Sequence, residues 1–287
     1  MNPYANPTIT VLGPGYSGGI KWIAADSSGN LYLAVQDSSG SELVAVQNSD
    51  IGDKTAWMGV SGSYLSGAKF SSVAAENLMN IYTVDEVTGN VYKASSGSFD
   101  TTPLVSFSGV LPYYNGTVDG DGNLYLLGQN DYNTVVQLRQ ANGYKDPTVL
   151  TKTAQKAYST YVDGSRNLLV AAWDVDAGMV VKGTYSAAGY SFSTLNIPGL
   201  HQPRDVVEDS SGNLFILDWD ETGTENLDYV VYEAIPVGNS YTLEKVADST
   251  LNSVAVHAMA NSIAVDPSGD VFLAESSAPG NVIEIKP

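Results

Sequence analysis

The chain has 287 residues, 43% of them hydrophobic, enough to bury roughly three quarters of the surface its unfolded form would expose. Thirty-one acids against thirteen bases give a formal charge of -18, which repels nucleic-acid phosphates and anionic lipid alike. The absence of cysteine excludes disulfides and thiolate metal sites, so stability must come from packing.

Charged residues are only 15% of the chain, while Gly, Ser, Thr, Asn and Tyr are plentiful. A neutral, polar surface of this kind suits an exported protein, extracellular, on the cell surface or in a periplasm, with no nucleic-acid partner. No run approaches the ~20 apolar residues of a membrane helix, so no membrane insertion is expected. The opening MNPYANPTITVLGPG lacks the basic, apolar and small-residue order of a signal peptide, so the leader of an exported chain would have been removed or replaced.

In chain order, residues 7–13 (PTITVLG) read as a strand, followed by GPGYSG at 13–18. Those glycines match the dinucleotide-binding spacing, and GYSGG at 15–19 matches the nucleophile-elbow pattern around Ser17. Both patterns require a helix behind them, and a strand follows instead. The segment reads as a connector.

Four strands come next: WIAAD at 22–26, NLYLAVQ at 30–36, SELVAVQ at 41–47 and KTAWMGV at 54–60. The turn between the first two, DSSGN, recurs. DSSGNLYL at 26 is matched by ENLMNIYT at 76, DGDGNLYL at 119, DGSRNLLV at 163, DSSGNLFI at 209 and DPSGDVFL at 266. The last turn residues, Asn30, Asn80, Asn123, Asn167, Asn213 and Asp270, are 50, 43, 44, 46 and 57 residues apart. Asp and Ser bond their own backbone and Gly accepts positive φ, so the phrase is turn chemistry for a hairpin.

Repeats in the forties with four strands each indicate propeller blades. The fifth unit shows the plan again in RDVVED, NLFILDWD, DYVVYEAIP and YTLEKVAD. Residues 249–261 are the nearest candidate for a helical turn. The sixth unit ends one strand short, after NSIAVD, DVFLAES and NVIEIK. Pairing 281–286 with 8–12 would supply that strand and remove exposed edges. The expected fold is all-β: one six-bladed β-propeller over residues 1–287, with four-stranded antiparallel blades and the ring closed by the N-terminal strand.

AVDPSGDVFLAESSAPGNVIEI at 264–285, VVEDSSGNLFILD at 206–218 and AAENLMNIYTVDEVTGNVYKAS at 74–95 resemble NHL repeats. The resemblance covers nearly the whole chain. It departs from the family where Arg usually follows the second hairpin turn, and in longer linkers after blades one and five. It implies a propeller used as a binding platform or, in other members, as a lactonase or lyase.

Histidine is limited to His201 and His257, which leaves little for imidazole catalysis or imidazole metal sites. Both fall in connections leading to inner strands, at the mouth of the central channel. Residues 218–228 (DWDETGTENLD) offer Asp218, Asp220, Glu221, Glu225 and Asp228 around Gly223, an arrangement that suits calcium. Thr222 and Tyr229 break the match to a calcium loop, and the simpler reading is a set of solvated turn acids, with no cofactor. DGDGN at 119 and DVDAG at 174 are shorter versions.

A metal-dependent lactonase would need ligands from several blades meeting in the channel. Counting back four residues from each turn acid gives Trp22, Ser72, Asn115, Ser159, Asp205 and Ser262 as rim positions, of which Asn115 and Asp205 could ligate. Glu208 falls on the other side of its strand, where it should pack between blades and needs a partner such as Arg204 or a hydroxyl.

Eighteen tyrosines against six phenylalanines favour rings that can be half wet. Tyr16, Tyr64, Tyr113, Tyr114, Trp173 and Trp219 should open on one face, with His201 at its mouth and Asp37, Asp85, Asp131, Asp174 and Asp220 nearby. About half of the rings should fill gaps between blades. The expected function is non-catalytic recognition of a protein or glycan at this aromatic, acidic face, by a monomeric ring standing alone or within a larger surface protein. The alternatives are the lactonase and a rigid spacer.

Overall fold

The computed structural model describes residues 3–57, 59–60, 62–107, 113–128, 134–152, 156–174, 177–220, 228–249, 260–276 and 278–287. Within them lie six four-stranded antiparallel sheets. Their inner strands, Gly19–Ala25, Phe70–Asn77, Tyr113–Val118, Lys156–Val162, Gln202–Glu208 and Ala260–Val265, each touch the next around the ring, and the last touches the first. This is a six-bladed β-propeller. The candidate helical turn at 249–261 falls largely outside the described residues.

The closing strand is Thr8–Tyr16. It pairs antiparallel with Gly280–Lys286 from Thr8↔Lys286 to Leu12↔Val282, in the register expected from the sequence, and resumes after a bulge at Tyr16↔Gly280. Gly18 and Gly19 follow because nothing larger fits: a Cβ on Gly18 would stand 2.0 Å from the Gln36 carbonyl oxygen, and one on Gly19 1.9 Å from that of Ser276. Close approach of backbones accounts for Gly18 and Gly19 of the literal glycine motifs, and positive φ for Gly13 and Gly15.

The recurring turn is a self-contained hydrogen-bond unit. In five blades the leading Asp accepts backbone N–H bonds from the second and fourth residues after it, as Asp26 does from Ser28 and Asn30, and Asp209 from Ser211 and Asn213. The closing Asn then reaches across its own blade. Asn30, Asn123 and Asn167 accept from the backbone of Asn48, Gln140 and Tyr185. Asp26 and Asp119 also each accept a buried tyrosine hydroxyl, from Tyr32 and Tyr125.

The second strands are buried on both faces, so they read as continuous apolar runs: Leu31, Tyr32, Leu33 and Ala34 are all inaccessible. Apolar side chains form six clusters, one at each junction between neighbouring blades. One expected strand is replaced. At 54–60 the chain makes a short 3-10 turn over Lys54–Ala56, because the Asp53 side chain accepts from the Thr55 N–H, and Trp57 then buries its indole against the Ile51 carbonyl. The outer strand of blade 1 is Leu65–Ser66 instead.

Candidate functional site

Each inner strand carries a bulge near its start, between Ile20 and Trp22, Phe70 and Ser72, Tyr113 and Asn115, Ala157 and Ser159, Pro203 and Asp205, and Ala260 and Ser262. A bulge adds one residue to its strand and turns that side chain away from the expected face. The extra residues are Lys21, Ser71, Tyr114, Tyr158, Arg204 and Asn261. Five of them line one cavity of about 300 Å³, with Trp22, Gln36 and Glu86; the side chain of the sixth, Tyr114, lies outside the described residues. This cavity is the upper mouth of the channel, on the face that carries the hairpins between second and third strands. Trp22 lines both it and the channel below.

Of the rim positions counted from the sequence, Trp22 lines the mouth and the other five are displaced by one residue: Ser72, Asn115, Ser159, Asp205 and Ser262 are buried, and Asn115, Asp205 and Ser262 join blade to blade. Asn115 Oδ1 accepts from the Thr160 N–H, Asp205 Oδ2 from the Ile263 N–H and the Ser262 hydroxyl, and Ser262 Oγ from the Ile23 N–H. Burial pushes the Asp205 carboxyl up to about 7, against the opposing effect of those bonds. Glu208 and Arg204 do not pair as the sequence suggested. The bulge sends Arg204 to the mouth, while Glu208 lines the lower channel beside Tyr161, its carboxyl raised by burial.

At the mouth the Arg204 guanidinium lies between two rings, 4.0 Å from the centroid of Tyr158 and 3.8 Å from that of Trp219. Tyr158 stacks on Trp173 at 6.3 Å with the planes 19° apart, and Lys156 Nζ stands 5.7 Å from the Trp173 ring. The result is a layered series, Trp219, Arg204, Tyr158, Trp173, Lys156, across blades 4 and 5. Each cation–ring contact contributes about 0.5–2 kcal/mol. The Trp173 indole N–H is buried and has no hydrogen-bond partner among the described residues.

The structure thus divides the residues singled out from the sequence. Trp173 lies on blade 4 and His201 at the start of blade 5, while Trp219 is largely core at the junction of blades 5 and 6, its N–H donating to the Ala260 carbonyl. His201 is half exposed, with Nδ1 3.6 Å from the buried carboxylate of Asp218. Tyr16 and Tyr64 share a separate small crevice with Asp37 and Glu42 on blade 1, where burial and then Asp37 raise the Glu42 carboxyl. Asp85 is buried and holds its own hairpin through Lys69, Val87 and Thr88.

Both Asp218 oxygens accept backbone bonds, from the His201 and Gln202 N–H groups. Asp220 and Asp228 face each other across a strand pair, but their side chains, like those of Tyr113 and Tyr114, lie outside the described residues, as do Asp131, Glu221, Glu225 and His257 entirely. Among the described residues no three His, Asp or Glu side chains form a group that could hold a metal ion.

No protein-family model matches the chain, and no curated protein matches it. Solved structures do. A protein of unknown function from Bacteroides thetaiotaomicron superposes with a TM-score of 0.67 at 14% identity, over 98% of this chain and 76% of that one. A gluconolactonase from Xanthomonas campestris gives 0.64 at 10% identity over 99% and 91% of the two chains. A chain from a nidogen/laminin complex gives 0.54 at 15% identity, over 79% and 89%. At these identities the likeness is one of fold.

Proposed function

We propose that this propeller, built of NHL-type repeats, is an exported, non-catalytic recognition module that takes a protein or glycan at the upper mouth of its channel. The observation that carries this reading is the use of five of the six bulges to bring Lys21, Ser71, Tyr158, Arg204 and Asn261 around one cavity beside a layered aromatic–cation stack. Rings held between cations are preorganised and amphipathic, the character of recognition hot spots. The sequence led to an aromatic and acidic face; the mouth itself adds cations, so the ligand segment entering it is polar or anionic. A nidogen/laminin complex among the similar folds is consistent with partner binding by such rings.

The positions a metal-dependent lactonase would draw on, Asn115 and Asp205, have oxygens engaged by neighbouring blades, which favours recognition. A hydrolytic reading retains one local support: His201, oriented beside Asp218 on the same face, has the arrangement of a general base. The calcium site expected at Asp218, Asp220 and Asp228 is tested by calorimetric titration of the purified protein with that ion.

A glycan array and a displayed-peptide library, followed by lactone and ester turnover with and without chelator, separate the readings. Arg204→Ala should weaken the captured ligand at least about tenfold, or ~1.4 kcal/mol. Asn261→Ala, which disturbs no ring, should weaken it less and leave Tm unchanged. Lactone turnover that disappears in His201→Ala would replace recognition with hydrolysis.

A further inference from the structure

On the lower face, where the recurring turns lie, a second groove of about 850 Å³ runs between blades 3 and 4. It is distinct from the mouth and independent of the reading given above. The chain contains three arginines; one is in the mouth stack and the other two, Arg139 and Arg166, line this groove.

Arg166 occupies a strained position. The fourth residue of the recurring turn has positive φ in five blades, and in four of them it is glycine: Gly29 at 78°, Gly122 at 76°, Gly212 at 84° and Gly269 at 87°. Blade 4 places Arg166 there at 67°. The left-handed conformation is strained for a residue that bears a side chain. In return Arg166 pairs with Asp121 of blade 3, at side-chain exposures of 38% and 56%, and stands 5.5 Å from the Tyr185 ring. These contacts, with a hydrogen bond to Tyr185, are exposed to solvent, where ion pairs and cation–ring contacts stabilise little, whereas the glycine of the other four blades meets the same turn without strain. Strain without a stabilising return points to a functional role.

The surroundings supply that role. Arg139 Nε donates to Gln137 Oε1 at 3.3 Å, and among the described residues Arg139 makes no ion pair, in a protein of charge -18. Gln137 in turn donates to the Tyr125 hydroxyl at 3.0 Å, and Tyr190 donates to the Arg166 carbonyl at 2.9 Å. Tyr125 and Tyr190 meet edge to face at 6.3 Å with their hydroxyls 3.0 Å apart, so one network links the Arg139 side chain to the Arg166 backbone. Tyr185, 40% exposed, lines the groove, packed 5.3 Å from Tyr190.

We propose that this groove binds an acidic oligosaccharide, with a uronic-acid carboxylate on the planar guanidinium of Arg139 or Arg166 and a sugar ring against Tyr185. The guanidinium fork matches a carboxylate in bidentate geometry, and the exposed tyrosine offers an apolar face with a polar edge. The protein's own negative field disfavours chains more highly charged than one carboxylate per sugar, which selects a uronate over a sulfated oligosaccharide.

Calorimetric titration with tetragalacturonate, with its methyl ester and with tetraglutamate tests the proposal. The acid should bind, and esterification should weaken it at least about tenfold. Arg166→Gly should abolish binding with Tm unchanged or raised, because glycine relieves the turn; Arg139→Gln, which leaves the turn alone, should weaken binding at least about tenfold. The proposal is overturned if tetragalacturonate does not bind, if acid and ester bind alike, or if tetraglutamate binds in its place. Retained binding in Arg166→Gly would also overturn it, and a lowered Tm in that variant would then assign Arg166 to the joint between blades.

Discussion

Deleting residues 1–16 should lower Tm by more than about 15 °C or prevent folding, and a peptide of residues 1–18 added in trans should restore much of the loss. The deleted strand is the outer strand of blade 6 and the closure of the ring. Without it, Gly280–Lys286 becomes an open edge carrying buried apolar residues Val282, Ile283 and Ile285, a template for aggregation. The same deletion removes Leu12 from the core between blades 6 and 1, and Tyr4, whose ring meets Phe215 at 5.9 Å and whose hydroxyl donates to the Gly269 carbonyl. Leu12→Ala alone should cost about 2–5 kcal/mol, which at this size corresponds to a fall in Tm of at least several degrees. A deletion variant that melts within about 3 °C of the full chain would show that the ring stands without its clasp.

The second large effect is a pH dependence centred on Asp205. The folded protein holds this carboxyl protonated to about pH 7, chiefly because the side chain is fully buried. The Ser159 hydroxyl beside it is buried, with no other hydrogen-bond partner among the described residues. In the unfolded chain an aspartic acid releases its proton near pH 3.9. Between roughly pH 4 and 7 the folded state therefore binds more protons than the unfolded one, and stability falls as pH rises through that window. Above it both states are ionised and the dependence levels off.

The gap between those two ionisations limits the fall to about 4 kcal/mol. Burial raises Asp218, Glu233, Asp266 and Glu275 as well, so the whole molecule should be most stable at mildly acidic pH. Urea unfolding of wild type and Asp205→Asn from pH 4 to 8 checks it: the variant should lose the largest part of the slope. Parallel curves for the two proteins would mean that Asp205 is ionised throughout.

Much of the architecture was legible because hairpin chemistry is local. An Asp that accepts N–H bonds two and four residues on, a glycine with positive φ and an Asn that ties the turn to its blade leave the same phrase wherever they recur. The missing strand was legible as well, since an odd edge at one end of the repeats needs a partner from the other. Trp57 and Asp53 show the limit of such reading: an apolar run that looks like a strand turns instead when a capping carboxylate and a buried indole compete for it.

The site was less legible, and its signal lay one residue away from where period-two counting placed it. Alternation locates Ser159 and Asp205 correctly as a repeating class, but it has no means of registering the extra residue of a bulge, and that residue decides which side chain faces the channel. The amino-acid sequence determined the number of blades, the turns and the clasp, because those follow from contacts between neighbours in the chain or from a count of strands. Only the tertiary structure placed Arg204 between Tyr158 and Trp219, made Asp205 a joint between blades and set Arg166 opposite Asp121. Those pairings join residues that are 15 to 58 positions apart, and no local pattern records which of them the closed ring will bring face to face.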